Sequence, residues 1–186
     1  MAIKKKLEIV KYNKRIQNRL NLSTKDYKEY CEIEIEIIPF KDKYGKFINK
    51  DELYFHIYFN DNKEEIKNKY EINKKDKMTK HEYYIDEEDK VTKIKIIIDY
   101  QVKSFNHLFS ECKCIESINF KKFYRNNIND MSHMFDGCSS LKELNLNNFN
   151  TNNVTDMSFM FEGCSDDLKR KIKSENKNIK DEAFYW

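Results

Sequence analysis

The second half of the chain repeats its pattern of apolar and polar positions every 26 residues. Three copies hold the same residue type without a gap at Phe109, Phe135 and Phe161. The other positions that stay in phase are Leu108, Met134 and Met160; Cys112, Cys138 and Cys164; Ile115 and Leu141; Ile118 and Leu144; Phe120 and Leu146; Phe123 and Phe149. A fixed period of this length predicts a solenoid, in which each copy is one turn of chain stacked on the next. We expect the three phenylalanines to form a stacked aromatic spine.

One half of each copy has the pattern of a strand. In the segment LKELNL, leucines alternate with polar residues, which predicts a short strand with Leu141, Leu144 and Leu146 pointing inward. The outward positions are Glu143, Asn145 and Asn147. We expect the strands of successive copies to form a parallel sheet.

The other half of each copy has the pattern of a short helix, Met-Ser-x-Met-Phe, after Asp130 in one copy and Asp156 in the next. An aspartate before a first helical turn can accept hydrogen bonds from its free N–H groups. Gly137 and Gly163 follow the aromatic residue and suit the left-handed position that ends a helix. Glu111 stands there in the first copy.

The sequence MFDGCSSLKELNLNNFNTNNVTDMSFMFEGC resembles the 26-residue version of the BspA-like leucine-rich repeat. The match is close over 131–164 and looser over 105–130. The resemblance implies a repeat scaffold that binds other proteins or surfaces, often on microbial cells. It implies no catalytic residues.

The first half of the chain alternates between strand-like and polar segments. Residues 31–38, CEIEIEII, predict a half-buried strand that Pro39 ends. Residues 53–59, LYFHIYF, predict a second strand, which we expect to pair antiparallel with the first across a loop at 40–52. The remaining expected elements are helices at 1–20, 24–30 and 61–70, and strands at 81–86 and 91–98.

The predicted fold class is α+β. A short leucine-rich-repeat solenoid of parallel strands and short helices would occupy 91–165, with 91–98 as a degenerate first copy. Residues 1–90, a helix plus antiparallel strands, would cap one end of the solenoid. Residues 166–186 would form a helical cap at the other end, since a repeat stack exposes its core where it stops.

Composition narrows the function only slightly. Charged residues make up 36% of the 186 positions, but 35 basic and 32 acidic residues nearly cancel, to a net charge of +3. The total charge therefore does not point to nucleic acid. We find neither an apolar run of membrane-spanning length nor a signal-peptide pattern. The sequence therefore predicts an intracellular, cytoplasmic protein, with the cell surface as the alternative.

Cysteine and histidine give weak signals for chemistry. Cysteines at one repeat position predict buried thiols that act as small apolar residues. Neighbouring copies lie close enough for a disulfide, which would strain a regular stack. Cys112 and Cys114 lack the C-x-x-C spacing of a zinc site. His107 and His133 share a repeat position where two imidazoles could bind metal or sense pH, but Phe159 breaks the series. We expect exposed histidines there, with no metal and no cofactor.

We find no catalytic motif, so the sequence predicts a non-enzyme. We expect a monomer that binds a protein partner through a flat polar strip of exposed strand positions. These are Lys93, Lys95, Ser117, Asn119, Lys121, Glu143, Asn145 and Asn147. The alternatives are a merely solvated strip, nucleic-acid or anionic-membrane binding through the basic residues 1–20, a surface adhesin, and a cryptic enzyme within 31–98.

Overall fold

A computed structural model of the protein describes residues 32–50, 55–66, 81–99, 102–123, 127–149 and 151–185. The helices expected at 1–20 and 24–30, and most of the helix expected at 61–70, lie outside these ranges. Residues 61–66 are described and form turns and bends, not a helix. In the parts of the chain that the structure describes, no helix is both long enough and apolar enough to cross a membrane.

The largest element is a mixed sheet of five strands. They are β1 (Ile33–Pro39), β3 (Phe55–Phe59), β5 (Ile94–Ile98), β6 (Ile115–Phe123) and β7 (Glu143–Asn145), in the spatial order β3-β5-β1-β6-β7. All pairs are antiparallel except β6 and β7, which are parallel. In the three strands with strict alternation, every second side chain is buried, and these buried isoleucines and phenylalanines share one face.

A second sheet pairs β2 (Gly45–Lys50) with β4 (His81–Ile85), antiparallel. It packs on the buried face of the first sheet, since the ring of Phe47 in β2 lies 5.9 Å from the ring of Phe59 in β3. Two expectations were wrong here. Residues 45–50 form a strand and not part of a loop, and β1 does not pair with β3, because β5 lies between them.

The repeats form turns where short helices were expected. Each copy contains one turn segment, at 105–111, 131–137 and 157–163. Left-handed φ values recur at two positions per segment, 55° at His107 and 60° at Glu111 in the first, and 54° at His133 and 69° at Gly137 in the second. The third has 56° at Phe159 and 67° at Gly163. A residue of this conformation inside each segment interrupts the right-handed helix, although Gly137 and Gly163 are left-handed as predicted.

The predicted solenoid of parallel strands and several helices is therefore wrong. Within the described ranges the chain forms one α-helix, α1 (Asp166–Glu175), and one 3-10 helix, Asp181–Phe184. Residues 91–98 were expected as a first parallel copy, but 94–98 form β5, which pairs antiparallel with β1 and β3. The parallel pairing of β6 with β7 spans only three residue pairs. In the third copy, α1 occupies the sequence positions where the repeat predicts a strand.

Stacking at the 26-residue period is nevertheless present. The rings of Phe109 and Phe135 lie 5.7 Å apart and those of Phe135 and Phe161 lie 5.6 Å apart, both nearly parallel. Phe184 of the 3-10 helix stacks on Phe161 at 5.3 Å and takes a fourth place. The predicted aromatic spine is confirmed, and its three repeat members are fully buried. The burial of Leu141, Leu144 and Leu146 is also confirmed.

A ladder of backbone hydrogen bonds joins the turn segments, with each amide in the earlier segment and each carbonyl in the later one. The Phe109 amide donates to the Met134 carbonyl at 2.9 Å, and the Phe135 amide donates to the Met160 carbonyl at 2.9 Å. The remaining pairs are Phe105 with Asp130, His107 with Ser132, Glu111 with Asp136, Met131 with Asp156, His133 with Ser158, and Gly137 with Glu162. The first segment is left with carbonyls to satisfy, and the last with amides.

Asn49 of β2 closes the first end of the ladder. Its backbone amide donates to the Leu108 carbonyl at 2.8 Å. Its side-chain amide donates to the carbonyls of His107 at 2.7 Å and Ser110 at 2.8 Å. One residue of the second sheet therefore satisfies three carbonyls of the first turn segment.

The 3-10 helix closes the other end. The amides of Phe159 and Phe161 donate to the carbonyls of Glu182 and Ala183. The Glu182 carboxylate accepts from the Met157 amide at 3.2 Å. The helix α1 ends at Glu175, so it is shorter than the helical cap expected over 166–186. Ser165 caps α1 by accepting from the Leu168 amide, and Asp166 and Asp167 occupy its first turn.

We predict that Phe135→Ala lowers the free energy of unfolding by about 3–5 kcal/mol, because it removes a fully buried ring stacked on both sides. Chemical denaturation measures the change. Tyr185→Ala removes an aromatic ring that is 59% exposed and should change stability by less than about 0.5 kcal/mol. Equal losses in the two variants would show that the spine is not a core element.

We predict that Asn49→Ala lowers the free energy of unfolding by about 1–3 kcal/mol, since it leaves the partly buried Ser110 carbonyl with only the weak Cys112 thiol donor at 3.8 Å. Asn178→Ala, at an exposed asparagine, is the matched control. Denaturation curves for both variants give the comparison. If both variants change the free energy of unfolding equally little, the ladder does not depend on the hydrogen bonds of the Asn49 side chain.

Candidate functional site

The face of the five-stranded sheet opposite its buried isoleucines carries the candidate site, and we call it the open face. Alternation along each strand sends polar side chains to this face, as with Glu34 and Glu36 between the buried isoleucines of β1. Its side chains are half-exposed or exposed. They are Glu34, Glu36, Ile38, His56, Tyr58, Lys95, Ile97, Ser117, Asn119, Lys121, Lys122, Glu143 and Asn145.

The strand registers align one row of these residues across all five strands. Tyr58 of β3 lies opposite Lys95 of β5, and Lys95 lies opposite Glu36 of β1. Glu36 lies opposite Asn119 of β6 on its other side, and Asn119 lies opposite Asn145 of β7. The row therefore presents an aromatic ring, a cation, an anion and two amides in a straight line.

The charges of the open face are paired with one another. The Glu34 carboxylate lies 3.3 Å from the Lys95 ammonium group and 3.7 Å from that of Lys122. The Glu36 carboxylate lies 3.0 Å from the Lys121 ammonium group. Half-exposed ion pairs of this kind contribute little to stability, so both signs of charge remain available to a partner.

The structure brings together only part of the predicted strip. Ser117 lies opposite Glu143, and Asn119 opposite Asn145, as side-by-side strands require. Lys95 is separated from them by β1, which sequence reasoning did not place there. The strip is therefore not basic at one end, because the glutamates of β1 lie between the lysines of β5 and β6. The EIEIE alternation predicted an outward row of glutamates, but it did not indicate which strands lie on either side of β1.

Two of the predicted residues lie at the margins. The Lys93 ammonium group, just before β5, bonds to the Asp61 carboxylate, and this hydrogen bond raises the pKa of Lys93. Asn147 follows β7, where its backbone amide donates to the Asn145 side chain at 3.0 Å. Asn147 also lines a cavity of about 320 Å³ between β7 and the end of α1. The other residues around this cavity are Leu146, Phe149, Thr151, Glu175, Asn176, Lys177, Asn178 and Ile179.

The three cysteines at the shared repeat position are buried, as predicted. Cys112, Cys114, Cys138 and Cys164 are buried and form no disulfide within the described part of the chain. The thiols of Cys138 and Cys164 donate to the carbonyls of Phe109 and Phe135 in the preceding copy, at 3.0 and 3.2 Å. Burial raises the pKa of Cys114 to about 11 and that of Cys164 to about 12. Thiols held in the protonated form are poor nucleophiles.

The fold and the open face define a repeat-containing chain with a mixed sheet and a flat polar surface. Residues 88–182 match the model of a family described as Mycoplasma protein of unknown function, DUF285. The chain belongs to this family. No curated protein and no solved structure matches the chain. The matched residues include β5, β6, β7 and α1 but not β1, which supplies the two glutamates at the centre of the open face.

We predict that the protein loses stability as pH rises from about 9 to 11, since the unfolded chain releases thiol protons in this range while the folded chain retains them. Below about pH 8 the thiols are protonated in both states, and the contribution is complete. Each buried thiol adds up to about 1.4 kcal/mol per pH unit to the decline. Denaturation curves at successive pH values measure the slope.

Cys164→Ala should make this slope shallower by the contribution of one thiol. Leu168→Ala, a neighbouring core truncation without a titrating group, lowers stability but should keep the wild-type slope. If both variants keep the wild-type slope, the buried thiols are not responsible for the alkaline loss.

Proposed function

We propose that this chain is a non-enzymatic protein-interaction module that binds a protein partner through the open face. The observation that carries the proposal is the five-strand row from Tyr58 to Asn145, which offers an aromatic, both charge signs and amides on one flat surface. Small molecules are usually bound in concave pockets, whereas a flat surface of mixed character suits another protein.

Apolar groups on the open face support a protein partner. Ile38 and Ile97 are half-exposed there among the charged residues, and Tyr58 lies in the same row as Lys95. Half-exposed isoleucine and tyrosine side chains give a partner apolar surface to bury, while the surrounding ion pairs form a polar margin.

The charge pattern of the open face favours protein over nucleic acid. Glu34 and Glu36 lie among the lysines and would repel a phosphate backbone, whereas a nucleic-acid surface concentrates positive charge. The basic residues 1–20 stay a separate candidate for nucleic acid or an anionic membrane, and they lie outside the described residues. The resemblance of 131–164 to BspA-like repeats, whose relatives bind proteins or surfaces, supports the same proposal.

The test is affinity capture from cells of the source organism with wild-type protein beside a triple variant, Lys95→Glu, Asn119→Glu and Asn145→Glu. These three residues lie in one row of the open face, so the variant adds negative charge beside Glu36 without touching the core. We expect the captured partner to be lost, with a drop in affinity of about tenfold or more in a titration of the purified pair.

The control is a second triple variant with the same change of charge, Lys103→Glu, Asn129→Glu and Asn178→Glu, at exposed positions outside the strands of the five-stranded sheet. It should keep the partner, and circular dichroism should show both variants folded. A partner retained by the first triple variant as well as by the control would place binding outside the open face and overturn the proposal.

A further inference from the structure

One position of the repeat carries two histidines and a phenylalanine whose rings are stacked. The rings of His107 and His133 lie 4.6 Å apart with 10° between their planes. The ring of Phe159 continues the stack, 5.2 Å from that of His133 and tilted by 20°. All three residues have left-handed backbones, with φ of 55°, 54° and 56°. Their side chains therefore leave the three turn segments on the same side.

A carboxylate stands beside the two imidazoles. Asp136 lies three residues after His133 in the same turn segment, and its Oδ2 is 3.3 Å from Nδ1 of His133. One ligand atom from each of His107, His133 and Asp136 can be chosen so that all three lie within 4.8 Å of one another. His107 is exposed and the other two are half-exposed, so the cluster is open to solvent.

We propose that His107, His133 and Asp136 bind one divalent transition-metal ion of the zinc type. Imidazole nitrogen and carboxylate oxygen are the ligands that such ions take in proteins. Two ligand atoms on one tetrahedral zinc ion lie roughly 3.3 Å apart, since each bond is about 2.0–2.1 Å long. Nδ1 of His133 and Oδ2 of Asp136 already have this separation.

Binding requires His107 to leave the stack. An imidazole binds a metal ion in the plane of its ring, so two parallel rings cannot both point at the same ion. The His107 side chain is exposed and free to rotate about its own bonds, and the turn segment beneath it does not have to move. The His107 ligand nitrogen lies within 4.8 Å of the other two ligand atoms. To reach the separation of about 3.3 Å in a tetrahedral zinc site, it has to approach each of them by about 1.5 Å at most.

The surrounding charge favours a cation. The carboxylate of Asp156, at the start of the next turn segment, interacts electrostatically with His133 and is itself held by the Ser158 amide at 2.9 Å. Asp136 and Asp156 therefore both place negative charge near His133, and the Lys180 ammonium group offsets part of the charge of Asp156. Three protein ligands leave the fourth position of a tetrahedral ion to water.

The repeat supplies the variant that tests this. Phe159 shows that a phenylalanine fits the same position with the same backbone conformation and the same stacking, so His107→Phe and His133→Phe remove a ligand without disturbing the turn segment. Asp136→Asn keeps the shape of the carboxylate and removes its charge. Isothermal titration calorimetry of the full chain with zinc chloride measures binding, and circular dichroism checks each variant's fold.

We expect wild-type protein to bind zinc at this site, and each of the three variants to weaken that binding by about tenfold or more. His56→Phe is the control, because His56 also lies near two carboxylates, Glu65 at 3.1 Å and Asp99 at 3.4 Å, and should leave zinc affinity unchanged. Ring resonances of His107 and His133, but not those of His56, should shift on addition of zinc in nuclear magnetic resonance spectra.

The proposal fails if His107→Phe binds zinc as tightly as wild type. It also fails if His56→Phe causes the same loss, or if zinc leaves the ring resonances of His107 and His133 unchanged. Each of these results would show that zinc binds other groups in the chain or does not bind the chain at all. None depends on whether the open face binds a protein, so the two proposals are tested separately.

Discussion

Each backbone hydrogen bond that a turn-segment amide makes to the next copy runs from the earlier copy to a carbonyl of the later one. Such a ladder cannot satisfy its own ends, and a buried polar group without a partner is costly. The first segment therefore needs donors, which Asn49 supplies, and the last needs acceptors, which Glu182 and Ala183 supply. The second sheet is thus attached to the repeats through the donors it supplies, and the 3-10 helix through the acceptors it supplies.

The buried side chains follow the same ladder. Because successive segments lie in one register, each Phe of the spine meets the next face to face, and the thiols of Cys138 and Cys164 donate to the phenylalanine carbonyl of the preceding copy. The thiol is small enough to fit beside the stacked ring and still donates a hydrogen bond, which an alanine cannot do. Packing and hydrogen bonding at this position therefore demand the same residue.

The sequence predicted what is local and periodic. The 26-residue phase was enough to predict the aromatic spine, the buried thiols and the alternation of Leu144 with its exposed neighbours, since each follows from a position within one copy. The spacing of Met131, Met134 and Phe135 is equally compatible with a helix and with a tight turn that buries the same side chains. The left-handed backbones of His107 and His133 favour the turn over the helix. Since non-glycine residues seldom adopt that conformation, the sequence did not predict it.

Neighbours distant in sequence were beyond prediction. The alternation in β1 fixes which of its side chains are buried and which reach the open face. It does not determine which strands β1 pairs with. Its insertion between β5 and β6 joins the first part of the chain to the family-matched residues and changes the candidate site from a basic strip to a row of mixed charge. The stacked histidines belonged to a repeat position already visible in sequence, but the carboxylate beside them became evident only from the turn.

The direction of the ladder also governs how this architecture can change in length. A segment such as 131–137 receives hydrogen bonds from the segment before it and gives the same set to the one after it, so its two sides are complementary. Removing or duplicating one complete 26-residue unit leaves both closing elements facing the groups they already satisfy. Gain or loss of any other number of residues would bring side chains of the wrong phase against Asn49 or Glu182. The protein is therefore extensible by internal duplication, in whole units only.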